Sequence, residues 1–217
     1  MSINRLAFVF ILFANIATYS QFNNAPHFSE SIQYISEFVA STEFKEFSDS
    51  TNAMLVVDSL YSFALKFCNG NISETLLSLT FVTLPFYEMP LSIPLISDNL
   101  RIPLPAATKA VFDKKQLNLP KNIFFEISKI SDQDKLAHFF GNAYLTHMTD
   151  SFNLSEFMSI FVELFEHTFK VEGAIDYRDL VVNSLGNTFG NFLHSNEETL
   201  PSEVLKLYYL YHLHPGY

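Results

Sequence analysis

A mainly α-helical fold, in one domain of six or seven helices with a proline-rich extended middle, is what this chain predicts. Three observations predict it. Apolar side chains recur at helical spacing along most of the length. Several of these segments open with a Ser, Asn or Asp followed three residues later by an acid, the pattern of a helix N-terminus. The chain breakers are concentrated: only six glycines occur in 217 residues, and six of the nine prolines fall within 85–120.

Composition bounds the rest. With 48% hydrophobic and 17% charged residues the chain is neither a disordered tail nor a fibre. At this length a core can form without a metal or disulfide staple. A net charge of −10 speaks against nucleic acid, which is held through Lys and Arg on phosphate, and against docking to anionic lipid.

Residues 1–20 read as a secretory signal. Arg5 is the only charge, 6–17 is an apolar run broken by Asn15, and Thr18 and Ser20 are the small residues before a cleavage site. Twelve residues cover about 18 Å as a helix, too short for a bilayer core of about 30 Å. The mature chain, 21–217, is therefore expected in the periplasm or cell envelope, with no transmembrane helix. It keeps 12 basic and 23 acidic residues, a net −11. Its one cysteine, Cys68, excludes an internal disulfide and suits a small buried hydrophobe.

The elements follow in order. Residues 29–40 place Ile32, Ile35, Phe38 and Val39 on one side of a helix. Residues 53–67 are apolar nearly all round, broken by Asp58 and Lys66, and read as a central buried helix. Asn71 and Glu74 open a third helix through Leu84, although the alternation in LSLTFVTL also fits a strand. The Asn71-Ile-Ser73 and Asn153-Leu-Ser155 sequons fit better as helix starts. Prolines then force an extended or looping course through 85–120, with a short helix at 106–115. Residues 123–128 (IFFEIS) suit a short strand. Beyond them come four helices: Ser131 to about 148 with Asp134 at its third position, Asn153 to about 170, Asp176 to about 194 with Asp179 at its third position, and Thr199 to about 212.

The polar residues of these last helices share faces. Asp134, His138 and Asn142 recur every four residues. Glu156, Ser159, Glu163, Glu166, His167 and Lys170 form a stripe. Asp179, Asn183, Gly186, Asn187 and Gly190 form another, and Gly186-xxx-Gly190 permits close approach of a neighbouring helix. Small residues mixed with Asp and Asn point to a tightly packed polar seam.

Asp134-Lys-Leu-Ala-His138-Phe, then Glu163-Leu-Phe-Glu166, then Asp176-Tyr-Arg-Asp179-Leu-Val-Val-Asn183-Ser-Leu-Gly186-Asn-Thr-Phe-Gly190 resemble, in order and spacing, the DKxxHF, ExxE and DxxDLxxNxxGxxxG motifs of the VanZ-like and YfiM-like bacterial envelope families. The resemblance covers residues 131–192. It departs where VanZ-like proteins carry an Arg before the last motif, a place held here by Glu172-Gly173-Ala174. VanZ-like proteins are also multi-spanning, and these helices carry too many charges to span, so the exported YfiM-like branch is the nearer likeness. What it implies is a cell-envelope protein of uncharacterised role.

Two readings of the polar residues stay open. In one, Asp134, His138, Glu163 and Asp179, backed by Asn183, hold a divalent metal or supply an acid and base for hydrolysis of an envelope lipid or glycan. In the other, Asp134 and Asp179 satisfy helix N-termini, Glu163 and Glu166 are solvated, and His138 belongs to a buried network. The His212-x-His214 pair reads as a tail. No catalytic Ser or Cys set and no phosphate-cradling glycine loop occurs. The expected action is binding of an envelope lipid, glycan or protein, with metal-dependent hydrolysis as the alternative.

Overall fold

The computed structural model describes residues 25–91, 100–124, 132, 134–149 and 177–209. The signal-like residues 1–20, the helix expected over 153–170 with Glu163, Glu166 and His167, and the tail with His212 and His214 lie outside them. The described chain is mainly helical. In order it forms α1 (Ala25–Val39), α2 (Thr42–Ser50), α3 (Ala53–Phe67), α4 (Ile72–Thr83), β1 (Glu88–Leu91), β2 (Leu100–Pro103), α5 (Lys109–Asn118), α6 (Lys135–Thr149), α7 (Tyr177–Ser195) and α8 (Pro201–Leu205).

The caps explain the starts. Ser41 Oγ accepts the Phe44 amide at α2, Asn52 Oδ1 the Met54 amide at α3, and Asn71 Oδ1 the Glu74 amide at α4. The strand alternative for LSLTFVTL falls, because Leu76, Leu79 and Val82 all face the core at helical spacing. Glu74 does not return to its own cap; it accepts from Ser31 Oγ of α1 and ties the two helices together. Cys68 is a buried free thiol, as its apolar surroundings suggest.

Helix α2 has no counterpart in the sequence expectation. Of TEFKEFSDS only Phe44 is buried, so no apolar stripe marks it, and its start rests on the Ser41 cap. Asp58, which interrupts the apolar α3, is used at long range: its Oδ1 accepts the Ser202 amide and so holds the start of α8.

The proline-rich stretch contributes a two-stranded antiparallel hairpin, Glu88 opposite Pro103 and Leu91 opposite Leu100. Pro90 and Pro103 are tolerated there because each strand of a pair has a free edge. The short helix falls three residues later than expected, at α5. Its Lys115 is 0% exposed. The ammonium donates to the Val82 and Leu84 carbonyls at the end of α4 and lies 4.4 Å from the Phe112 ring centre. Burial drives its pKa down to about 7.

That value sets a pH dependence. Between about pH 7 and the ordinary lysine value the unfolded chain holds a proton that the folded chain does not, so stability rises with pH across that window. Urea unfolding of wild type should gain on the order of 1–2 kcal/mol from pH 7 to 8.5, and Lys115→Met should lose that slope. Equal slopes in the two proteins would show that Lys115 stays charged in the fold.

The strand expected over 123–128 is corrected in its described part. The Ile123 and Phe124 amides both donate to Asp132 Oδ2, at 3.0 and 3.2 Å, and make no ladder. Residues 125–128 lie outside the described chain. The core joins α1, α3, α4, α6, α7 and α8 through buried Ile35, Leu60, Leu79, Phe139, Phe140, Phe189 and Leu205. Phe139 of α6 stacks on Phe189 of α7 at 5.2 Å, and Tyr61 of α3 meets Phe189 edge-on at 5.5 Å. No helix among the described residues is long and apolar enough to cross a membrane.

Candidate functional site

Helices α6 and α7 meet along the polar faces expected to form a seam. Lys135 pairs with Asp179, Asn142 with Asn183, and Thr146 with Asn187. The partner numbers rise together, so the two helices run parallel. The glycines make this crossing close. A Cβ on Gly186 would lie 2.4 Å from the Phe139 carbonyl oxygen, and one on Gly190 would lie 2.5 Å from that of Ala143.

Parallel packing puts both helix N-termini at one end, and the acids collect there. Asp179 is the third residue of α7, as its motif position implies. Asp134 is not the third residue of a helix: α6 begins one residue later, at Lys135, so Asp134 sits at the entry turn and its carbonyl accepts the His138 amide. Anions at this end meet the positive ends of two helix dipoles.

Three of the four proposed ligating residues come together. Ligand atoms of Asp134, His138 and Asp179 lie within 4.8 Å of one another. Glu163 is outside the described residues. Two groups that motif reading did not single out complete the charge pattern. Lys135 is 2% exposed; its ammonium hydrogen-bonds Asp179 and lies 3.4 Å from Asp134 Oδ1. Arg178 bonds Asp132 Oδ1 at 2.8 Å, while Oδ2 of that buried carboxylate takes the Ile123 and Phe124 amides. The signal for both pairs was present as complementary charges in SDQDK and DYRD, each at a helix start.

The hydrogen bonds also fix the state of His138. Asn142 Nδ2 must be the atom facing the His138 carbonyl at 2.7 Å, since a carbonyl can only accept. The same Nδ2 donates to Asn183 Oδ1 at 2.8 Å, which makes that atom an oxygen. His138 Nδ1, 3.1 Å from Asn183 Oδ1, is therefore a donor, so in the neutral imidazole the lone pair is on Nε2. A histidine held this way by a second residue is oriented as metal ligands and general bases are, and a buried structural imidazole uses the same bond.

At the far end of the seam His147 and His194 stack with ring centres 4.5 Å apart. Burial first, and then the neighbouring His194, push the His147 pKa below its usual value; the Gly190 backbone and Glu197 oppose this. Two surface grooves lie elsewhere, one lined by Tyr34, Glu37 and Phe67 and the other by Met54, Leu117 and Tyr209. No family model, no curated protein and no solved structure matches the chain, so the likeness to YfiM-like and VanZ-like proteins rests on the motif residues alone.

Proposed function

We propose that this is an exported cell-envelope protein of the YfiM-like kind that works by binding a partner, with the acidic end of the α6–α7 seam serving the fold. The observation that carries this reading is Lys135. Its ammonium contacts the carboxylates of both Asp134 and Asp179, two of the three groups that would have to turn to a divalent cation. An ion pair that is 2% and 3% exposed on its two sides is costly to open. The charge pattern is then a closed network at paired helix N-termini. Export is supported by the signal-like residues 1–20, and a protein partner or a neutral lipid or glycan by the net charge of −11 on the mature chain.

A metal-dependent hydrolase acting on an envelope lipid or glycan is the second reading. It is favoured by the three ligand atoms within 4.8 Å and by the free lone pair that the tautomer leaves on His138 Nε2. Asp134, His138 and Asp179 would hold the ion, which would supply an activated water.

Manganese separates the two, because it suits a site of carboxylates and one imidazole. In thermal melts of the chelator-treated protein, we expect millimolar manganese to give no rise in Tm that depends on His138. A bound ion at a hundred times its Kd would add about 2.7 kcal/mol, several degrees for a chain of this size. A rise of that size in wild type that disappears in His138→Ala would put the hydrolase ahead.

A further inference from the structure

The geometry points to a second site at the opposite end of the seam: we propose that the paired imidazoles of His147 and His194 bind a borderline divalent cation, zinc or copper. Both histidines stand in the last turn of their helices. Because α6 and α7 run parallel, their two C-terminal dipole ends converge there and make that end favourable to positive charge. It is the reverse of the acidic end, where two N-termini converge and the chain's own lysine already fills the cation position. The rings lie stacked 4.5 Å apart and 26° from parallel, so a common ion requires both rings to turn out of the stack until their in-plane lone pairs meet. His147 is half-buried and hydrogen-bonds the Gly190 backbone, which holds its ring beside that of His194. His194 is exposed, which gives an ion a way in from solvent. Paired imidazoles select zinc and copper over magnesium or calcium, which take oxygen ligands.

The test is calorimetric titration of the chelator-treated full chain with zinc alone, then copper alone. One ion per chain is expected. His194→Gln, which changes an exposed side chain, should weaken it by at least the roughly 10- to 100-fold that even an outer-shell partner is worth. His147→Gln should do the same, and His138→Ala should leave the affinity unchanged. A chain with His212→Gln and His214→Gln should still bind as wild type does. The proposal is overturned by absence of zinc and copper binding, by binding that persists in the doubly substituted His147→Gln/His194→Gln chain, or by binding that is lost only with His212 and His214. Loss in His138→Ala alone would overturn it as well and would place the ion at the acidic end, so failure here and failure of the binding-protein reading are distinct results.

Discussion

Lys135→Met should destabilise the protein by about 3–5 kcal/mol, the range for removing one partner of a buried ion pair. For a chain of this length that is a fall in Tm of about 10 °C. The loss comes less from the attraction removed than from what stays behind: Asp179, buried in the seam, loses its ammonium partner. Adding Asp179→Leu should therefore return most of the stability, because two apolar side chains of similar volume leave no buried charge. If the double variant is as unstable as the single one, the pair is not what holds that end together. The same single variant probes the metal question from the other side. Removing the ammonium leaves the ligand atoms of Asp134, His138 and Asp179 within 4.8 Å of one another without the lysine that contacts both carboxylates. Manganese, expected to be without effect on wild type, should then raise the Tm of Lys135→Met. A response in wild type equal to that in the variant would mean that the lysine does not occupy the cation position.

The sequence made the seam legible because its two faces are written in residues that solvent-facing helices do not use. Asn142, Asn183, Asn187, Gly186 and Gly190 recur at helical spacing where a solvated face would carry Lys and Glu. The glycines announced a close crossing by a neighbouring helix without saying which helix it is. Periodicity does not give direction, and direction decides the electrostatics. That α6 and α7 are parallel is visible only in the pairs Lys135–Asp179, Asn142–Asn183 and Thr146–Asn187. Lys135 escaped notice as a site residue because a lysine beside an aspartate at a helix start reads as solvated, and burial is a tertiary property. Asp58 escaped for the same reason: its partner, Ser202, is 144 positions away. Helix α2 was lost because Phe44 and Phe47 are its only apolar residues, too short a recurrence to read as a helix face. The placement of Asp134 was off by one turn position because Ser131 promised a cap three residues earlier, whereas the helix begins at Lys135.

Gly186→Ala should lower stability by about 3 kcal/mol, the upper part of the range for overpacking. Helix propensity alone predicts the opposite sign, since alanine is favoured over glycine in a helix interior by about 1 kcal/mol. The difference lies across the seam. The new methyl would meet the Phe139 carbonyl oxygen at 2.4 Å and the Asn142 Cβ at 2.8 Å. The first is backbone of α6 and has no rotamer to yield, so the helices must separate. Separation lengthens the Asn142–Asn183 bond and loosens the hold of Asn183 on His138, coupling the packing defect to the site. Gly141→Ala is the control on the same helix pair's far side. Its methyl would touch only the Thr80 side chain, at 3.3 Å, so a small shift there should leave the net change near zero. Thermal melts of the two variants should therefore move apart, with Gly186→Ala falling by about 6–12 °C. A Gly186→Ala protein as stable as wild type would mean that α6 and α7 do not cross this closely in solution. The hydrogen bonds that set the His138 tautomer, and the convergence of two helix ends at His147 and His194, would fall with that crossing.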